Sequence, residues 1–192
     1  GNSMSIAAPA TNPASDLELK LPATIGTAGQ VLKNSSTAGT LEFGDVTNTP
    51  AFSVIKSGDQ SISQNTWTKV EWETEQFDTD SAFDTTNDKF TVPAGKGGVY
   101  QLNVQVCVTN QTEDAELDLK VYKNGSATST PSFSREYAGT NGNSNNTTQH
   151  HHLYDLDAAD YLEIYVFTGS GGSYVIESDS SCWSMFKLAG TS

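Results

Sequence analysis

Alternation of apolar and polar side chains constrains this chain more than any other feature. From Val99 to Val108, Tyr100, Leu102, Val104, Val106 and Val108 alternate with Gln101, Asn103 and Gln105, the period of a strand with one buried face. Leu117, Leu119 and Val121 alternate with Asp118, Lys120 and Tyr122, and Lys123-Asn124-Gly125 closes that run with a hairpin signal. Leu162, Ile164 and Val166 alternate in the same way with Glu163, Tyr165 and Phe167. Further strands are predicted at Ala51 to Ile55, Thr66 to Phe77, Lys89 to Val92, Gln149 to Leu156 and Cys182 to Leu188. No segment carries a sustained 3.6-residue apolar stripe with caps, so almost no helix is expected. Eight or more short antiparallel strands predict an all-β, two-sheet sandwich of the jelly-roll kind.

The 192 residues divide by composition. Residues 1–16 place Pro9 and Pro13 among Ala, Ser, Thr and Asn, with almost nothing to bury, and read as a tether or attachment segment. Gly1-Asn2-Ser3 ahead of Met4 reads either as a tag remnant or as the processed end of a longer chain. Residues 17–50 form a collar: Leu17, Leu19 and Leu21 alternate, Leu41 and Phe43 alternate again, and Pro and Gly punctuate the interval. So few apolar residues make no independent core, so this segment needs a body to dock on or copies of itself. Residues 51–192 form the head, of ordinary domain size.

Charge removes some functions. Against 10 Lys and Arg stand 23 Asp and Glu, a net charge of -13, which opposes nucleic-acid binding by counterion release. No apolar run approaches the roughly 20 residues of a membrane span, and no signal-peptide pattern opens the chain, so membrane insertion is not expected. The two cysteines, Cys107 and Cys182, are too few for a disulfide framework; Cys107 falls on the polar phase of its strand, and both are expected reduced.

The run from Phe83 to Val106 resembles the signature of C1q-like domains in the C1q and tumour-necrosis-factor superfamily. Its elements are Phe83-Asp84, the turn Thr86-Asn87-Asp88, Lys89-Phe90, Pro93 and Gly98-Val99-Tyr100. Ala51-Phe52-Ser53-Val54, Leu156 with Ala159-Asp160, and the closing strand through Phe186 to Gly190 are similar to the family at its outer positions. Ala159 stands where the family usually has Gly, and Lys187-Leu188-Ala189-Gly190 replaces its usual Gly-Phe-Leu ending. The preceding Leu21-Pro22, Ile25-Gly26-Thr27-Ala28-Gly29-Gln30-Val31-Leu32 and Leu41-Glu42-Phe43-Gly44 resemble collar segments of bacteriophage tail fibres. The first resemblance implies a homotrimer with one sheet turned to a three-fold axis; the second implies a virion appendage.

Candidate site residues follow. Every histidine lies in Gln149-His150-His151-His152, on a strand that the family places in the trimer-facing sheet. His150 and His152 share a face with Tyr154 and Leu156, while His151 shares the other with Leu153. If the first set enters the core, His151 and Leu153 are the trimer-interface candidates. An axial transition-metal site on His151, or on the His150 and His152 pair, is one reading of the triplet; a polar strand edge is the other. Asp78, Asp80 and Asp84 offer calcium ligands or solvated turn carboxylates, and the EF-hand pattern fails at Ala82 and Phe83. No resident cofactor is expected. Glu71 and Glu73 share a strand face as a glycosidase pair would, but any acidic strand offers such a pair, and Gly169-Ser170-Gly171-Gly172 is no nucleophile elbow, so no enzyme is expected. Tyr122, Tyr165 and Phe167 project on the polar phase of strands that the family joins in its outer sheet and are the receptor-binding candidates. The polar stretch Gly139 to Thr148 reads as a flexible loop tip suited to variable binding.

The sequence thus suggests a phage tail or head fibre protein at the virion surface, made in the host cytoplasm. Its partners are two further copies of itself, other virion proteins at the N-terminus, and a glycan or protein of the host surface. A capsid decoration protein and a cellular secreted C1q-like lectin are the alternatives.

Overall fold

Alternation along the chain becomes two facing sheets. The computed structural model describes residues 18–44, 48–112, 114–128, 133–138, 144–169 and 172–190. The expected tether, and residues 139–143 of the expected loop, lie outside them. The chain divides into two compact units, one ending at Thr47 and the other beginning at Asn48.

In the first unit β1 (Val31–Asn34) pairs antiparallel with β2 (Leu41–Gly44), and Lys20 bridges Thr40 in parallel. Leu32 lies opposite Phe43, and Lys33 opposite Glu42, whose charges meet at 3.7 Å. Gly26 is required by close approach, because a Cβ there falls 2.6 Å from the Phe43 ring. Leu19, Leu21, Ile25, Leu32 and Phe43 all remain exposed, Ile25 at 93%. A hairpin of this size has no core of its own.

The second unit is the sandwich. Its strands are β3 (Ala51–Ile55), β4 (Gln60–Ile62), β5 (Thr68–Lys69), β6 (Thr74–Asp78), β7 (Phe83–Asp84), β8 (Lys89–Thr91), β9 (Gly98–Gln111), β10 (Glu116–Lys123), β11 (Ser126–Ala127), β12 (Phe133–Tyr137), β13 (Ser144–Leu156), β14 (Tyr161–Thr168), β15 (Tyr174–Ile176) and β16 (Cys182–Ala189). The front sheet runs β4-β15-β9-β16-β3-β6, with β13 along the other edge of β9; the back sheet runs β11-β10-β14-β8-β7, with β12 on β10 and β5 on β14. Every pairing between named strands is antiparallel. Among the described residues there is no helix.

The core fills the space between the sheets. Tyr100, Leu102, Val104, Val106 and Val108 point inward from β9 to meet Leu117, Leu119, Val121, Leu162, Ile164 and Val166 of the back sheet, all buried. One end is aromatic: the Phe52 ring centroid lies 4.9 Å from Phe83, 5.1 Å from Phe90 and 5.2 Å from Trp183. Burying such rings supplies much of the apolar driving force and fixes the sheet separation. The signature residues gain physical roles here. Phe83 and Phe90 are core; Asp84 accepts the Thr86 and Asn87 N–H groups of the turn; Tyr100 donates its hydroxyl to the Lys96 carbonyl at 2.6 Å. Gly98 has φ +150°, and a Cβ would stand 2.2 Å from the Ala189 carbonyl oxygen. Asp160 braces two turns at once, accepting from Asn124 Nδ2 at 2.7 Å and Asp157 N at 2.8 Å while pairing Lys123 at 2.6 Å.

Three expectations need correction. The segment Thr66 to Phe77 is not one strand: β5 joins the back sheet and β6 the front, and the crossing between them buries Val70 and Trp72 completely. Strand continuity is given up because both side chains enter the core between the sheets. The expected loop Gly139 to Thr148 is strand from Ser144, since β9 continues to Gln111 and offers its edge that far. Cys107, although on the polar phase, is buried, because Ser181 Oγ accepts its N–H at 3.0 Å and Glu177 lies across its thiol at 3.5 Å. Both cysteines are free thiols.

Candidate functional site

Two outward faces carry the candidate residues. On the back sheet Leu119 of β10 lies opposite Val166 of β14, so these enter the core and their sequence neighbours face out. Asp118, Lys120 and Tyr122 therefore stand beside Phe167, Tyr165 and Glu163 respectively. The Tyr122 and Tyr165 rings stack diagonally with centroids 4.0 Å apart. Burial, then the Glu163 carboxylate, pushes the Tyr165 hydroxyl pKa upward, against the opposing Lys69 charge.

Phe167 belongs to a different cluster. The short β5 sets Thr68 opposite Val166, which brings the preceding Trp67 to 5.5 Å from Phe167, centroid to centroid. Lys120 Nζ lies 4.7 Å from the Trp67 ring centroid, a cation–π distance. On the far side β12 sets Arg135 opposite Asp118, and the guanidinium grips that carboxylate bidentately at 2.6 and 2.7 Å while Glu116 approaches at 3.5 Å. The Asp118 carboxylate is almost wholly buried, which only such a charge-assisted fork makes tolerable. Trp67, Phe167, Lys120, Asp118, Glu116 and Arg135 line an open surface concavity of about 260 Å³. Of these only Phe167 was singled out in the sequence. Trp67 was hidden in a segment read as one strand, and Arg135, the chain's only arginine, was the available signal for the other wall.

The front sheet turns another surface outward. Across β13, β9, β16 and β3, Leu153, Gln101, Phe186 and Ala51 form one row, and His151, Asn103, Ser184 and Ser53 the next. His151 Nδ1 lies 3.0 Å from Asn103 Oδ1, and Gln149 donates to Gln105 at 2.6 Å. Leu153, Phe186, Leu188 and Phe77 remain substantially exposed. His151 and Leu153 therefore share this open face, while Tyr154 and Leu156 enter the core.

The histidine triplet is split by the strand. His150 is buried on the inner face, its Nε2 3.4 Å from the Tyr154 hydroxyl, and the half-buried His152 ring meets Tyr154 edge-on at 4.9 Å. Burial, then the charges of His152 and His151, lowers the His150 pKa. Among the described residues no three His, Cys, Asp or Glu side chains within the chain converge as a metal-binding group. The calcium candidates are engaged locally: Asp78 accepts the Asp80 and Phe83 N–H groups, Asp80 pairs Lys96 at 3.3 Å, and Asp84 holds its turn. Glu73 grips the fully buried Lys56 at 2.7 Å and also accepts the Ser57 N–H. Burial opposes its charge, but these contacts hold Glu73 below the usual carboxylate range.

No protein-family model matches the chain, and no curated protein matches it. Solved structures do. The globular domain of zebrafish complement 1qA protein is similar at TM-score 0.56 and 14% identity over 74% of this chain and all of that one. Murine APRIL is similar at 0.52 and 13%, over 72% and 98%, and Eiger TNF from S. frugiperda at 0.52 and 15%, over 75% and 96%. The fold is that of the C1q and TNF jelly rolls. At such identities the likeness carries architecture, and function has to be argued from the faces just described.

Proposed function

We propose that this chain is a non-enzymatic, trimeric phage appendage protein whose C1q-like head adheres to the host surface. The observation that carries the reading is the outer face of β13, β9, β16 and β3. Leu153 and Phe186 stand exposed there on either side of Gln101, and Phe77 stands exposed opposite Ser53 on the adjoining β6, around a ladder of amides and His151, on a sheet whose other side already packs the core. Large apolar side chains left exposed on one sheet face support an association surface, and the C1q-like resemblance of the sequence implies that this sheet faces a three-fold axis. The exposed Leu19, Leu21, Ile25, Leu32 and Phe43 of the collar need the same kind of cover, which three copies supply. The phage assignment rests on the tail-fibre-like segment from Leu21 to Gly44.

Adhesion then works by multivalency: three weak sites per head gain avidity of about 10²- to 10⁴-fold over one. The test is flow cytometry of the fluorescently labelled chain on a panel of intact bacteria, beside a monomeric variant. Saturable binding to some strains, weakened at least about 100-fold in the monomer, is expected. Absence of binding across the panel, or equal binding by the monomer, overturns the reading.

A further inference from the structure

Trp67 is the centre of a pocket that no sequence motif marked. The chain has three tryptophans; Trp72 and Trp183 are fully buried, whereas Trp67 is half-buried on the outer face of the back sheet. A partly open indole beside Phe167 at 5.5 Å, with Lys120 Nζ 4.7 Å from its ring centroid, makes an apolar floor edged by a cation. The walls are Glu116, Asp118, Lys120 and Arg135.

Two properties of these walls select the ligand. Their two acids and two bases balance, and Arg135 already links both carboxylates, so the pocket is not matched to a net charge. It instead surrounds an apolar floor with charge-assisted donors and acceptors, the complement of a ring with one C–H face and a rim of hydroxyls. The volume of about 260 Å³ falls just short of the roughly 300–1,000 Å³ of sites for larger ligands, which suits one ring. The chain's net charge of -13 further disfavours an acidic ligand.

We propose that the pocket formed by Trp67, Phe167, Glu116, Lys120 and Arg135 binds a single neutral pyranose unit of a glycan. This rests on the adhesion reading and gives it a site and a ligand class.

Acrylamide quenching of tryptophan fluorescence tests it on the full chain, because Trp67 is the accessible indole. D-glucose, D-galactose, D-mannose and N-acetyl-D-glucosamine are titrated, with D-glucuronic acid and N-acetylneuraminic acid as acidic comparisons. At least one neutral sugar is expected to protect saturably in the millimolar range. Trp67→Ala, checked for folding by its thermal melt, abolishes the heat of sugar binding in calorimetry. Arg135→Lys, which keeps the charge but loses the fork, weakens binding roughly tenfold. Protection by none of the neutral sugars, tighter binding of the acidic ones, or undiminished heat in Trp67→Ala overturns the proposal. Bacterial binding that survives Trp67→Ala unchanged also overturns it while leaving the adhesion reading intact. Sugar binding without any bacterial binding sinks the adhesion reading and upholds the pocket.

Discussion

Ala159 sits at φ +72° in the turn between β13 and β14, where its N–H donates to the Val92 carbonyl at 2.9 Å and the next residue closes onto Asp157. A left-handed backbone costs an L-residue about 1–2 kcal/mol, which glycine does not incur. Against that, glycine gives the unfolded chain extra freedom worth about 0.4–1 kcal/mol. Ala159→Gly should therefore stabilise the head by about 0.5–1 kcal/mol, or raise its melting temperature by about 1–4 °C. Gly98→Ala is the opposite case. At φ +150° with a carbonyl oxygen 2.2 Å from the new Cβ, strain and displacement of β16 outweigh the entropy gain, and a loss of roughly 2–4 kcal/mol follows. Urea unfolding of both variants beside the parent, at one protein concentration so that any assembly contributes equally, gives the two signs directly. Destabilisation by Ala159→Gly beyond about 0.5 kcal/mol, or a Gly98→Ala midpoint matching the parent, would refute the turn geometry from which both follow.

Two further outcomes are expected. Glu73→Gln leaves the Lys56 ammonium, 0% exposed, without its counter-charge and facing only neutral acceptors such as the Glu71 carbonyl at 3.2 Å, and should cost about 2–3 kcal/mol, below the full buried-pair value because Glu73 is 37% exposed; Lys56→Met, removing the charge as well, should cost less in the same urea titration. His150 has a folded-state pKa below its unfolded value near 6.5, so its contribution is complete above about pH 6.5 and is lost as pH falls below it, at up to about 1.4 kcal/mol per pH unit. Melts between pH 7.5 and 5 should show a shallower acid loss in His150→Gln, and an unchanged slope would count against the buried neutral imidazole.

Much of this architecture was readable because period 2 survives wherever one face is buried and the other wet. The stretches around Tyr100 to Val108, Leu117 to Val121 and Leu162 to Val166 announce their inner faces residue by residue. The signature from Phe83 to Tyr100 was readable for a different reason: Phe83, Phe90, Gly98 and Tyr100 each meet a steric or burial demand that few other residues satisfy. What escaped notice was short or tertiary. β4, β12 and β15 span three to five residues each, too few for a period to show. Val70 and Trp72 look like strand residues, and only the second sheet reveals them as a crossing. Phase put Tyr122 and Tyr165 on the outward face and the family resemblance put their strands in one sheet, but Phe167 could not be assigned to Trp67, because that contact depends on β5 pairing β14 across a long sequence interval.

The central claim is self-association through the open face of β13, β9, β16 and β3. Light-scattering mass after size-exclusion chromatography, run with and without EDTA, tests it most directly. The account predicts about three times the 20.5 kDa chain mass for the parent, and a single-chain mass for Leu153→Glu combined with Phe186→Glu, which place charge on the exposed apolar row. A parent that remains at one chain mass at every concentration, or a double variant that keeps the parent's mass, would contradict it.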